Sequence, residues 1–155
     1  MNETVVLKAL NIKAGDNTLV NNASLIIEEG EIFGLVGESG SGKTLTAKAI
    51  INLLPKGLSY SADKIITAGK NMLTASTEEK SEHIGKNIGY IPQNTVFYLH
   101  PMIKIKNQIG DGYIHHMHKT KAEALEKAEA LLYKVGFKHP KIVLNYYPWQ
   151  LSGGM

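Results

Sequence analysis

The chain has 155 residues, 43% of them hydrophobic and 20% charged, which is the composition of a soluble protein with one sizeable core. It contains no run of about eighteen apolar residues and no leader-like pattern, which sets aside a membrane span and an exported protein. The net charge of +3 comes from lysines scattered between Lys8 and Lys141, with no arginine and no cysteine. That distribution describes a solvated surface and no nucleic-acid partner, excludes an arginine finger in cis, and suits a reducing compartment.

The first half alternates strand-like runs with turns. Val5 to Ile12 and Ala23 to Ile27 read as strands, with turns at Gly15-Asp16 and Glu29-Gly30. The apolar run Ile32-Phe33-Gly34-Leu35-Val36 then reads as a buried strand, and Thr44 to Leu54 as a helix ended by Pro55 and Gly57. Between them lies Gly37-Glu38-Ser39-Gly40-Ser41-Gly42-Lys43-Thr44, which matches the P-loop pattern G-x-x-x-x-G-K-[ST]. Glycines at these positions let successive backbone N–H groups curl around phosphate oxygens, and the following helix start adds partial positive charge. In this pattern Lys43 reaches the β- and γ-phosphates of a nucleotide and Thr44 holds Mg²⁺. No Asp stands in an Asn/Thr-Lys-x-Asp guanine reader, so ATP is the expected nucleotide.

Lys64 to Ala68 and Ile88 to Ile91 read as further strands, separated by a short helix that Ser76 and Glu79 can cap. The period turns helical from about Pro101 to Tyr146. There Thr120 and Glu123 form a capping box, Leu125, Ala128, Leu132 and Val135 share a face, and Gly136 stops the helix. His115, His116 and His118 cluster but point about 100° apart per residue on a helix, with no carboxylate or Cys placed to complete a metal shell. Tyr146, Tyr147 and Trp149 suit a core and a partner contact equally.

Four stretches together resemble the ATP-binding cassette (ABC) family of transport ATPases. They are NNASLIIEEGE at residues 21–31, GLVGESGSGKT at 34–44, IGYIPQN at 88–94 and YPWQLSGGM at 147–155. The resemblance implies a fold of mixed α/β class, a P-loop NTPase core with an antiparallel β subdomain at residues 1–95 and an α-helical subdomain at 96–155. It implies that Gln93 is the Q-loop glutamine, which ligates Mg²⁺ and reports nucleotide state. It also implies that Leu151, Ser152, Gly153 and Gly154 form the signature that clamps ATP held by a second, similar ATPase subunit in a head-to-tail dimer. The Met155 variant and the Tyr-Pro approach are similar to the peptide and nickel importer branch, nickel-type members closest. The implied protein is an ATP-hydrolysing subunit, cytoplasmic and peripheral on the inner membrane face, working with permease subunits and indirectly with a solute-binding protein. A soluble ABC-type ATPase and a non-hydrolytic nucleotide-binding fragment are the alternatives.

Two departures from the family pattern stand out. The family stacks an aromatic on adenine from the loop before Gly15, where this chain has Lys13 and Ala14. Hydrolysis in the family needs an apolar strand ending in Asp and then Glu, and none of Asp16, Asp63 and Asp111 follows such a run. The expectation is an N-terminal portion of a longer ATPase, ending before the Walker B strand, that binds nucleotide without turning it over.

Overall fold

The computed structural model describes residues 3–93, 95–152 and 155. The chain forms two compact units, Met1–Ile88 and Gly89–Met155.

The first unit is organised around the strand β1, Glu3–Ala14, whose Val5, Val6, Leu7, Leu10 and Ile12 are all buried. Such a strand needs neighbours on both edges, and it has them. β2 (Asn17–Glu28) pairs on one side, while β3 (Ser59–Ser61) and β4 (Lys64–Thr67) pair on the other, with β5 (Lys70–Asn71) beyond β4. Every pairing is antiparallel. Because opposed residues share a face, the register places Leu25, Leu7 and Ile65 in one row across three strands. That row belongs to the core, with Leu10, Ile12, Val20, Met72 and Ala49 of the helix α1 (Lys43–Ile50). Full burial of each large apolar side chain contributes about 1.5–3 kcal/mol.

The long hairpin carries a bulge where Ala9 and Asn22 take positive φ, 52° and 48°. Side chains replace the interrupted ladder. Ala9 N–H donates to Ser24 Oγ at 2.9 Å, Asn22 N–H to Asn11 Oδ1 at 3.0 Å, and Asn11 Nδ2 to the Ala9 carbonyl at 2.9 Å.

The helix α2, Thr77–Asn87, starts with the expected capping box. Glu79 N–H donates to Ser76 Oγ at 3.1 Å, and Ser76 N–H to Glu79 Oε2 at 2.8 Å.

Two expected strands are absent. Residues 32–36 form no strand, and Ile32 and Val36 are 99% and 93% exposed. Ile91 is 88% exposed in a segment, 88–91, that is likewise irregular. A continuous apolar run becomes a buried strand only when flanking strands take its N–H and C=O groups, and no described strand pairs with either segment. The helix α1 is also shorter than expected, ending at Ile50 ahead of Pro55. The cause is Asn52, at φ 55°, which ends the helix in a left-handed turn with Asn52 N–H on the Ala49 carbonyl and Leu53 N–H on the Lys48 carbonyl.

The second unit is helical: α3 (Asp111–Met117), α4 (Lys121–Lys134) and α5 (Pro140–Leu144), with short 3-10 turns. Its core joins Ile105, Ala128, Leu132, Val143 and Leu144, with Leu99, Phe137 and Leu151 packed against them. On α4 the buried stripe is Ala124, Ala128 and Leu132, whereas Val135 is 71% exposed. Gly136, at φ 100°, ends α4 as expected, and Phe137 N–H reaches back to the Leu132 carbonyl while its ring joins that core. No helix among the described residues is long and apolar enough to cross a membrane.

The two-residue turn Ala68-Gly69 joining β4 to β5 has both φ values positive, 44° and 78°. Alanine there bears a left-handed penalty that Asn largely escapes. Ala68→Asn is therefore expected to stabilise the chain by about 0.5–1 kcal/mol in urea unfolding.

Glu123 caps α4, and its carboxyl is held at about 2, below the ordinary 4.5, by the Thr120 backbone N–H, then the Thr120 hydroxyl and the Lys119 side chain. A carboxylate depressed in the folded state stabilises above its unfolded pKa and loses that contribution as pH falls through the folded value. Amide protection at the start of α4 is expected to decline from pH 4.5 towards about 2. Glu123→Gln should remove that dependence in hydrogen-exchange measurements.

Candidate functional site: a glycine-rich loop on the first unit

The loop Gly37–Thr44 bridges the irregular segment 32–36 and the start of α1. Its path depends on Gly40 and Gly42, at φ 84° and 88°. Gly42 is the N-cap of α1, and its carbonyl accepts the first helical bond from Thr46 N–H at 2.8 Å. It also lies hard against β2. A Cβ added to Gly42 would sit 2.7 Å from Val20 Cγ2 and 3.0 Å from the Leu19 carbonyl oxygen. Glycine at this position thus serves both conformation and packing, and it seats the helix start on the sheet.

The first turn of α1 leaves backbone N–H groups without intrahelical acceptors, and the aligned peptide dipoles make that end attractive to anions. Lys43 is its first residue. The Lys43 ammonium turns back into the loop and donates to the Gly37 carbonyl at 2.8 Å, the Glu38 carbonyl at 2.5 Å and Ser41 Oγ at 3.2 Å. Ser41 N–H in turn donates to the Glu38 carbonyl at 3.2 Å. All three ammonium protons are therefore engaged within the loop, most weakly at Ser41. That longest bond is the one an incoming acceptor would displace at the smallest cost.

A surface pocket of 180 Å³ opens at this point, lined by Leu19, Gly40, Ser41, Gly42, Lys43, Thr44 and Leu45. Pockets that enclose whole small molecules run to about 300–1,000 Å³, so this one suits phosphate groups, with the rest of a ligand outside it. Thr44 is exposed at its rim, with a hydroxyl suited to an oxygen-seeking divalent cation beside phosphates. Ser39 is exposed in the loop and lines neither the pocket nor the lysine's bonds. A second cavity of 440 Å³ lies beside the first. It is bordered by Leu19, Val20, Ala23 and Leu25 of β2, among others, by Phe33, Leu35 and Val36, and by Ser41, Lys43 and Thr46. Leu19 lines both cavities, and no motif in the sequence marks it.

Lys13 and Ala14 pair with Thr18 and Asn17 at the hairpin tip, and no aromatic residue lines the 180 Å³ pocket.

The remaining sequence candidates belong to the second unit. Gln93 is an exposed turn residue following Pro92. Leu151 is half-buried against the helical core, and Ser152 is exposed with its carbonyl accepting from Met155 N–H at 2.9 Å. Gly153 and Gly154 lie outside the described residues. Before them, Tyr147 and Trp149 stack at 6.1 Å with nearly parallel rings, Lys104 sits 5.9 Å from the Tyr147 ring centre, and Trp149 is 66% exposed. Among the described residues no group of three or more His, Asp or Glu side chains is arranged to hold a metal.

Gly42→Ala is expected to cost about 2 kcal/mol or more, from the left-handed backbone together with the overlap on Val20. Urea unfolding checks the loss, and a parallel Gly40→Ala variant, which meets no atom within 4 Å, should lose only the backbone part.

The chain is similar to several known proteins. A family model described as ABC transporter matches residues 20–155. The chain is 34% identical over 143 residues to the dipeptide transport ATP-binding protein DppD of Lactococcus lactis, covering 92% of this chain and 41% of that protein. It is 40% identical over 143 residues to the probable D,D-dipeptide transport ATP-binding protein DdpD of Escherichia coli, covering 91% and 43%. The ATP-binding cassette MJ0796, solved as a dimer in a post-hydrolysis state with ADP and Pi, superimposes with a TM-score of 0.76 at 25% identity over 97% of this chain and 64% of its own. The chain spans about two fifths of the length of the two transport proteins. A P-loop of this form, in a chain matched over nearly its whole length, places the protein in the ABC transporter family.

Proposed function

We propose that the chain is the nucleotide-binding portion of an ATP-hydrolysing subunit that drives a peptide importer. The observation that carries this reading is the loop itself. Left-handed Gly40 and Gly42 and the self-bonded Lys43 ammonium surround a pocket of phosphate size at a helix start. The transport names of the similar proteins support a peptide cargo ahead of nickel.

Each residue has a physical task in this reading. The N–H groups of Gly40, Gly42, Lys43 and Thr44 donate to phosphate oxygens, and Lys43 exchanges its Ser41 bond for one to the β- or γ-phosphate. Thr44 is the residue of this loop that would hold Mg²⁺, which supplies charge neutralisation on the phosphates. Gln93 and the segment Leu151 to Gly154 serve nucleotide sensing and the clamp on a partner's ATP. Assembly with a second ATPase and with permease subunits, on the inner face of the membrane, belongs to the complete protein. With no apolar run ending in Asp and then Glu among the 155 residues, this chain binds ATP without turning it over. Phosphate contacts dominate its affinity, and the base is weakly discriminated with Lys13 and Ala14 at the hairpin tip.

Calorimetry with Mg·ATP, with turnover followed in the same sample, tests the reading. Binding should weaken at least about tenfold in Lys43→Ala, as expected for losing charge-assisted bonds of about 1.5–3 kcal/mol. Undiminished binding by Lys43→Ala would contradict the assigned loop, and steady turnover by the wild-type chain would contradict the missing carboxylate.

A further inference from the structure

The C-terminal end of α1 leaves one carbonyl for another element to satisfy. The left-handed turn at Asn52 uses the carbonyls of Lys48 and Ala49, and the Ile50 carbonyl is taken by a side chain seventeen residues away. That side chain is Thr67 of β4, only 4% exposed, whose hydroxyl donates to Ile50 O at 2.8 Å. A buried carbonyl left without a donor carries a desolvation cost, so the bond fixes the end of the P-loop helix to the sheet.

Thr67 makes a second contact in the opposite direction. Its own carbonyl lies 2.7 Å from His83 Nε2 on α2. A carbonyl only accepts, so the His83 proton is on Nε2, and Nδ1 is the acceptor for Asn87 Nδ2 at 3.0 Å. The path Ile50 O, Thr67 Oγ1, Thr67 O, His83 Nε2 thus joins the end of α1 to the middle of α2 through one residue.

α2 is well suited to respond. It has no buried residue, and its attachments to the sheet unit include three among the described residues. Ile84 packs against the core, Lys70 of β5 meets Glu79 in an exposed pair at 2.9 Å, and His83 meets Thr67. Exposed ion pairs are screened and hold little, so the His83 bond and Ile84 carry the docking. α2 is also the last helix before the second unit begins at Gly89. α1, with eight residues, is about 12 Å long, and its continuous hydrogen-bonded backbone links its first turn to Ile50.

We propose that Thr67 is a positioning residue that transmits phosphate occupancy of the loop, through His83, to the docking of α2 and so to the chain entering the second unit. The inference rests on the nucleotide-binding reading above. A Thr67 that merely satisfied a buried carbonyl would affect stability alone and leave α2 indifferent to nucleotide.

Hydrogen exchange of α1 and α2 amides with and without Mg·ATP, on the whole 155-residue chain, separates these cases. In the wild type, ATP should alter α2 exchange about fivefold or more, the scale of ordinary coupling between sites. Thr67→Ser, which keeps the hydroxyl, should retain the effect. Thr67→Val and His83→Leu should abolish it while ATP still protects α1. Should Thr67→Val fail to fold, His83→Leu at the half-buried helix face decides the matter. An α2 response that persists in both variants, or is absent in a wild type whose α1 is protected, overturns the relay alone. A wild type showing no ATP effect on α1 removes the nucleotide reading, and the relay with it.

Discussion

The contact between Gly42 and β2 is the constraint on which the site depends. At φ 88°, with space for a Cβ closed by Val20 and the Leu19 carbonyl, this residue admits only glycine. Its closeness sets where α1 begins, hence where the free N–H groups of the first turn point and where the Lys43 ammonium can fold back. The sheet core of Leu7, Leu10, Ile12 and Ile65 holds β2 in place for that contact. The chemistry of the loop is thus carried by an antiparallel sheet that contains none of the loop's own residues.

The parts of the fold that were legible in the sequence are those determined by near neighbours. The capping boxes Ser76–Glu79 and Thr120–Glu123, the hairpin turn at Gly15-Asp16 and the stop at Gly136 depend on residues within a few positions, and each formed as expected. The glycine pattern of the P-loop is local in the same sense. The strands expected at 32–36 and 88–91 depend instead on distant partners for their backbone groups, and an apolar run does not state whether those partners are present. α1 is shorter than its sequence suggests because Pro55 is the obvious stop signal, whereas Asn52 adopts the left-handed turn first.

At the site, the sequence named the loop residues but not what supports them. Leu19, which lines both cavities, and Thr67, which ties the far end of α1, stand outside every motif. Leu19 is found only through the register of β2, and Thr67 only through a bond seventeen residues long in sequence. The signature segment shows the reverse case. It is plain in the sequence as Leu151-Ser152-Gly153-Gly154, yet the task proposed for it lies on a second subunit, which the packing of Leu151 on the helical core does not display.

In the proposed reading a preformed loop on the first unit, organised by Gly42 and closed by Lys43, receives nucleotide phosphates. Amide proton–nitrogen spectra recorded while the chain is titrated with Mg·ATP test it most directly. The expected result is that the resonances of Gly40 to Leu45 shift first and furthest, with the Lys43 side chain following the same saturation curve. Shifts confined to other parts of the chain, with Gly40 to Leu45 unmoved at saturation, would contradict it.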